Sequence, residues 1–345
     1  MVNMKRLFVL ALSIVMLTCG MAFAATEIKM AYTGPADEEN NGLHLYAVNF
    51  KKFVEEGTKG EITLKLFPDS QLGNEEERIE LMSKQGMNQP LFNLASFAGV
   101  APVFPEIYAS AVPFMFDSYK AAHYFFDEGE YWAKAKEEFQ KRSSIVLLEA
   151  VEEGGFLAFT NNKKEIKSPK DFKNLKFRGM DEGQVALFEA FGASGTPIPW
   201  TEIYMALKTG VVDGQMNPAV YVKMGSLYEV QDYLTLANIQ YSDQFLVANG
   251  DMWNSFSPET REIITEAAKK ANALNRVAME EQDAAYVQFL VDKGMKAYAP
   301  NPEEMDSFRN IGQPAFAKWL SDKMSKEWID LALESAKVAN EKAKE

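Results

Sequence analysis

Glu27-Ile28-Lys29-Met30-Ala31-Tyr32-Thr33-Gly34-Pro35 alternates polar and apolar side chains, then stops on a Gly-Pro pair. That period of two predicts a strand ended by turn chemistry. Leu43 to Glu56 switches to a helical period. Ile62, Leu64 and Leu66 then restore alternation up to Pro68, and beyond Gly73 a second helix is expected from Glu75 to Lys84. Strands that alternate with helices build an α/β fold around a mainly parallel sheet.

Working outward, Leu91 to Ala95 reads as the next strand and Ala133 to Lys141 as a helix. A second unit is expected to begin near Gly154-Gly155. Phe156 to Phe159 reads as its first strand, Ser168-Pro169-Lys170-Asp171 as a helix start, and Leu175 to Arg178 as a short strand. Thr201 is placed as the cap of a helix from Glu202 to Lys208 that Gly210 ends. Val211 to Gly214 is read as another strand with a turn. No proline or glycine lies between Pro258 and Gly294, so one helix is expected to about Lys293, long enough to brace two lobes. The alternative is two helices jointed near Asn272 or Asn275. From Lys337 the tail reads as a fraying helix.

The first 24 residues read as an export leader. Lys5 and Arg6 precede the apolar run Leu7 to Met16, and Ala22-Phe23-Ala24 offers a small-x-small cleavage pattern. A lipid anchor on Cys19 is the rival reading, although Met16-Leu17-Thr18 fits a lipoprotein box poorly. Cleavage after Ala24 removes the only cysteine and two of the 36 basic residues, taking the net charge from −13 to −15. So acidic a surface argues against nucleic acid or anionic lipid as a partner. The chain of 345 residues suggests two domains.

Catalytic residue types are scarce. His44 and His123 are the only imidazoles, and the mature chain has no thiol for a zinc site or a Cys-His pair. Asp37-Glu38-Glu39 lacks the spacing of a calcium loop and reads as solvated. No metal and no cofactor is implied.

The lysines of Asn161 to Arg178 read as a solvated face, but Arg178 ends a predicted strand. Open α/β sheets bind ligands at the carboxyl ends of their strands, where a guanidinium can hold a carboxylate or sulfonate through two hydrogen bonds. A structural salt bridge fits the same spacing. Trp200 suits either a pocket wall or the core. Asn217 before Pro218 suits either an anion contact or a turn.

These stretches together resemble the solute-binding proteins of tripartite ATP-independent periplasmic (TRAP) transporters, the DctP type, from about residue 27 to 325. Phe67-Pro68-Asp69-Ser70-Gln71-Leu72-Gly73 resembles the family's F-P-x-x-Q-L-G run, and Pro113-Phe114-Met115-Phe116 its L-P-F-x-F segment. Ser168 to Arg178 is similar to the motif p-x-D-l-K-G-l-K-i-R. Ala206 to Pro218 is similar to A-L-q-t-G-v-v-D-G-q-e-n-P, and Glu229-Val230-Gln231 follows at the family's interval.

The resemblance implies a two-lobed periplasmic-binding-protein fold with a ligand cleft between the lobes and a long helix bracing both. The expected boundaries are a signal peptide over 1–24, lobe I over 25–154 and 243–282, lobe II over 155–242 and 283–330, and a helical tail over 331–345. It implies a periplasmic, monomeric receptor, not an enzyme, that delivers a small organic anion to the small and large permease subunits. A receptor for an ATP-driven importer or a sensor kinase is the nearer alternative, and an exported hydrolase the remoter one.

In the family, the arginine of K-i-R binds the ligand carboxylate, which carries over onto Arg178. The motif asparagine carries over onto Asn217, and the aromatic that packs on the ligand onto Trp200. The resemblance also places Thr33, Asn74, Ser96, Asp181, Tyr241 and Gln244 at the pocket lining. Many relatives carry a second ligand arginine in the first strand of lobe II, and here no arginine occurs between Arg142 and Arg178. That departure favours a ligand with one anionic group, a monocarboxylate or a short sulfonate such as isethionate.

Overall fold

The structure, a computed structural model, describes residues 25–83 and 86–345. The expected leader, with Cys19, lies outside the described residues. Among them no helix is long and apolar enough to cross a membrane.

Strand β1 (Thr26–Ala31), helix α1 (Gly42–Gly57), β2 (Ile62–Phe67), α2 (Glu75–Met82) and β3 (Leu91–Ala95) repeat the alternation read from the sequence. Leu43, Tyr46, Ala47, Phe50 and Val54 form the buried stripe of α1, and Asn41 caps it by accepting from the backbone N–H of Leu43. Helices α3 (Tyr119–Glu128) and α4 (Glu130–Ser143) lead into β4 (Ile145–Phe156). After Leu157 come β5 (Ala158–Asn161), β6 (Lys176–Gly179), α5 (Glu182–Ala190), β7 (Ser194–Pro197) and α6 (Ile203–Lys208). Then follow β8 (Gly214–Asn217), α7 (Ala219–Met224), β9 (Tyr233–Thr235) and β10 (Tyr241–Asn249). The long α8 (Pro258–Asp292), β11 (Lys296–Tyr298), α9 (Pro302–Ser321) and α10 (Lys326–Ala343) complete the chain.

The strands form two sheets, ordered β2-β1-β3-β10-β4 and β11-β9-β5-β8-β6-β7. Each is parallel except for one strand: β10 runs against β3 and β4, and β5 runs against β8 and β9. These reversed strands are the first that the chain lays down after crossing between sheets, at Leu157 and again at 236–240. The third crossing is α8. Its Ile264, Ala267, Ala268 and Ala271 pack in the core of the first lobe, and its Tyr286 and Leu290 in that of the second.

The brace is one helix of 35 residues, about 50 Å at 1.5 Å per residue. Asn272 and Asn275 do not break it. Both are buried against β4, where Asn272 Nδ2 donates to Ala150 O (2.8 Å) and Asn275 Nδ2 to Glu152 O (2.6 Å).

Several expected elements differ. Thr201 caps nothing, because Pro199 turns the chain directly into a 3₁₀ turn over Trp200–Glu202. The strand expected over Val211 to Gly214 lies at Gly214–Asn217 instead. Asp213 clamps the end of β6's partner loop, its N–H donating to Lys176 O (2.7 Å) and its carboxylate accepting from Lys176 N–H (2.9 Å), so pairing starts only beyond it. The helix start at Ser168 is a single 3₁₀ turn, Pro169–Phe172. The tail does not fray at Lys337: α10 runs to Ala343, and Asn340 is held between Met115 O and the N–H of Asp117.

Candidate ligand-binding site

Parallel strands aim their carboxyl ends at the space between the sheets, and loops there are free to carry ligand contacts. Thr33 follows β1, Arg178 lies near the end of β6, Ile198 to Thr201 follow β7, and Asn217 ends β8. They line a cleft of about 220 Å³ together with Asn74, Glu75 and Glu76 at the start of α2, Glu153 on β4, Tyr221 on α7 and Gln244 on β10. One water needs only about 10–15 Å³ of such space, so the cleft has room for a small acid.

Arg178 is 2% exposed. Its Nε donates to Ile198 O at 2.8 Å, and that bond aims the guanidinium. Among the described residues neither terminal nitrogen has a hydrogen-bond partner and no carboxylate lies within ion-pair distance. Burial pulls its pKa down to about 10, against the fields of Asp181, Glu75 and Glu153, so the group stays charged at neutral pH. A buried cation without a counterion is costly, and an anionic ligand removes that cost.

Asn217 is held from behind by a buried polar chain. Its Nδ2 donates to Gln215 Oε1, Gln215 Nε2 to Thr160 Oγ1 (2.9 Å), and Thr160 Oγ1 to Gln231 Oε1 (2.9 Å). Its Oδ1 is left for the cleft. Trp200 is half-buried and meets Tyr221 edge-on, with centroids 5.2 Å apart. It is therefore both a wall of the cleft and a packing group. Gly225 lies beneath it, where a Cβ would stand 2.8 Å from the indole.

The opposite wall is acidic. Glu75 Oε1 accepts from Gln244 Nε2 (3.3 Å) and Thr33 Oγ1 (3.4 Å), and Oε2 from the N–H of Ser96 (3.2 Å) and its hydroxyl. Glu153 accepts from Ser242 Oγ (2.5 Å) and Gln244 Nε2 (2.8 Å), and burial pushes its pKa up to about 7. Arg78 stands behind this wall, wholly buried. It spends its donors on Asn93 Oδ1 (2.7 Å), Gly73 O (2.9 Å), Leu94 O (3.0 Å), Thr33 Oγ1 (3.2 Å) and Ser70 Oγ (3.4 Å).

The structure thus brings Arg178, Asn217, Trp200, Thr33, Asn74 and Gln244 together around one cleft. Ser96 does not line it, since its hydroxyl is given to Glu75. Asp181 caps α5 through the N–H of Gln184 (2.9 Å), and burial raises it to about 6. With Tyr241 it borders a smaller void of about 20 Å³ that adjoins the cleft, sharing Glu153, Met180 and Asn217 with it. The Tyr241 hydroxyl turns to Glu152 (2.7 Å). Glu75, Glu153, Tyr221 and Arg78 were not anticipated. The one sequence signal for Glu153 is the Glu152-Glu153 pair directly after an apolar run, Ile145 to Val151, that only Glu149 interrupts.

Two lobes closing on a small cleft that holds one unpaired cation, with no imidazole or thiol among its described lining residues, define a solute receptor. The comparisons agree. Residues 34–322 match the model of bacterial extracellular solute-binding protein, family 7 (DctP). The 2,3-diketo-L-gulonate-binding periplasmic protein YiaO of Escherichia coli is 30% identical over 80% of this chain and 81% of its own length. The sugar acid binding protein DctPAm of Advenella mimigardefordensis, solved with galactonate, superposes with a TM-score of 0.83 at 27% identity, covering 92% of this chain and 99% of that one. A TRAP periplasmic solute-binding protein of Shewanella oneidensis with bound succinate gives 0.81 at 28% identity over 92% and 100%. The chain belongs to solute-binding protein family 7, the periplasmic receptors of TRAP transporters, which bind small organic anions and are not enzymes.

Proposed function

We propose that this receptor captures a small acid with a single anionic group and a donor-rich remainder, and delivers it as a monomer to the membrane subunits of a TRAP permease. The observation that carries this is the buried Arg178 guanidinium, whose terminal nitrogens are unpaired in a cleft otherwise walled by Glu75 and Glu153. Arg178 takes the carboxylate or sulfonate, with Asn217 beside it. Hydroxyls or a cationic nitrogen on the remainder donate to the two carboxylates. Closure excludes water and strengthens the ion pair by lowering the local dielectric. A micromolar dissociation constant needs about 8 kcal/mol, within reach of one guanidinium fork, a packed indole and a few hydrogen bonds.

A second carboxylate on the ligand would face Glu75 and Glu153, which supports monoacids over dicarboxylates. YiaO and DctPAm, whose names and bound ligand are sugar acids, fit that preference, while the succinate-bound relative shows the family's other choice. The test is calorimetry of the mature protein, refolded to remove carried-over ligand, against aldonates, 2-hydroxy acids, succinate and isethionate. Hydroxylated monoacids are expected to bind at least about tenfold tighter than succinate, which is about 1.4 kcal/mol. Arg178→Ala should abolish binding. A tighter dicarboxylate would overturn the specificity, and unchanged binding in Arg178→Ala would overturn the anchor.

A further inference from the structure

Side chains alternate along a strand, so neighbours point to opposite faces. On β4, Glu153 faces the cleft, and Glu152 faces away from it into a second cluster. Glu152 is wholly buried. Its Oε2 lies 2.9 Å from Nε2 of His123 on α3 and accepts from Tyr241, while its Oε1 has no hydrogen-bond partner among the described residues. Glu280 on α8 brings Oε1 to 3.6 Å from the same imidazole nitrogen. One ligand atom from each of His123, Glu152 and Glu280 lies within 4.8 Å of the other two. Asp283 follows one turn further along α8. The guanidinium of Arg276, on the same helix, is committed to both oxygens of Asp127 at 2.7 and 2.9 Å. Even a protonated His123 therefore leaves this cluster with surplus negative charge.

We propose that His123, Glu152 and Glu280 form a binding site for a zinc-like divalent cation on the back of the lobe crossing. One imidazole nitrogen with two carboxylate oxygens, closed by a water, is a donor set that late first-row ions take. Bonds of about 2.0–2.2 Å in a tetrahedron space the ligand atoms by about 3.3–3.5 Å. The observed 2.9 and 3.6 Å bracket that spacing. The ion takes the lone pair of Nε2 on the neutral tautomer whose one ring proton sits on Nδ1, and any further proton held between Nε2 and Glu152 leaves to solvent. Glu152 binds through Oε2, the oxygen that already faces Nε2 at 2.9 Å. His123 and Glu280 are partly exposed, so the ion enters from solvent and comes to rest on a buried base.

The site ties α3 and α8 to β4 beside the register shift where β4 and β10 pass from one lobe to the other. A bound ion would stiffen that crossing.

The test uses the mature, tag-free chain stripped with chelator and titrated with zinc against a chromophoric competitor. The wild type is expected to bind one zinc per chain and to gain thermal stability from it. His123→Gln and Glu280→Gln, each checked by circular dichroism, should each weaken that affinity by about tenfold or more. Glu280 sits on the partly exposed face of α8, so its variant keeps the test open should the histidine variant fail to fold. A wild type that binds zinc no better than the folded variants, whether all bind or none does, overturns the site and leaves His123 as a hydrogen-bond partner of Glu152.

Discussion

Arg78 and Arg178 are both buried, and what separates them is how many of their donors the protein itself uses. Arg78 makes five hydrogen bonds to two loops and strand β3 and stands 3.9 Å from Glu75, so it is a fastener. Arg178 uses Nε alone. Arg178→Lys should therefore lower ligand affinity by about a hundredfold (some 3 kcal/mol), because a point charge cannot reproduce the planar fork or keep the bond to Ile198 O. Isothermal titration would show it, with the unfolding midpoint of the ligand-free protein little changed. Arg78→Met should do the opposite. It leaves Glu75 without its cation and several buried acceptors unpaired, a loss of about 3–5 kcal/mol in stability measured by denaturant unfolding. Comparable midpoints for the two variants would sink this division of labour. The sequence singles out Arg178 through its place at a strand end, yet nothing local to Arg78 announces a buried cation. Its partners Asn93, Leu94 and Thr33 become neighbours only when β1 and β3 pair.

At the scale of elements, α8 is held to the crossing strand by two asparagines rather than by apolar packing alone. Asn275→Ala would leave the Glu152 carbonyl unpaired in a buried position, at a cost of about 1–3 kcal/mol. Helix content by circular dichroism should stay unchanged while the unfolding midpoint falls. A loss of helical signal would mean that the asparagine serves the helix itself. In the sequence the same two residues look like a polar joint, because polarity along a helix does not reveal what lies opposite it. Elements with a local cause were legible: β1, α1 and β2 from periodicity, and α8 from the Ser257-Pro258 start and the absence of any breaker. Those that depend on distant pairing were not. β8 starts three residues late because Asp213 is captured by Lys176, and β7, β9 and β11 are three or four residues each, too short for a period to register. In the cleft, Arg178 followed from its place at a strand end, whereas Thr33 and Asn217 followed from the family resemblance. The acidic wall of Glu75 and Glu153 followed from neither, since at the start of α2 an acidic residue reads equally well as a partner for the helix dipole.

Across the whole molecule, burial moves six carboxylates in one direction. Burial raises Glu153 to about 7 and Asp181 to about 6, and it raises Asp243, Glu149, Glu280 and Asp283 as well. The lowered carboxylates, Asp37, Glu138 and Glu304, lie near the surface. A raised folded-state pKa means that the native chain binds protons the unfolded chain does not hold. Its stabilising contribution is complete below the unfolded value and is lost as pH rises through the folded one. For Glu153 the window runs from the ordinary 4.5 to about 7, and for Asp181 from 3.8 to about 6. Protonation also relieves the self-repulsion of a strongly acidic chain. The ligand-free receptor should thus gain stability as pH falls from about 8 to about 6, with Glu153 and Asp181 together contributing about 2 kcal/mol. From about 6.5 downward His44, whose pKa burial lowers, opposes the gain, because the unfolded chain takes a proton there that the native imidazole does not. Differential scanning fluorimetry across that interval tests it. Glu153→Gln should flatten the slope and raise the midpoint at pH 8, since it removes a charge that the fold holds at a cost. A wild-type midpoint that falls steadily between pH 8 and pH 6 would mean that these carboxylates are ionised and compensated in the native state, and that the cleft is far wetter than its burial indicates.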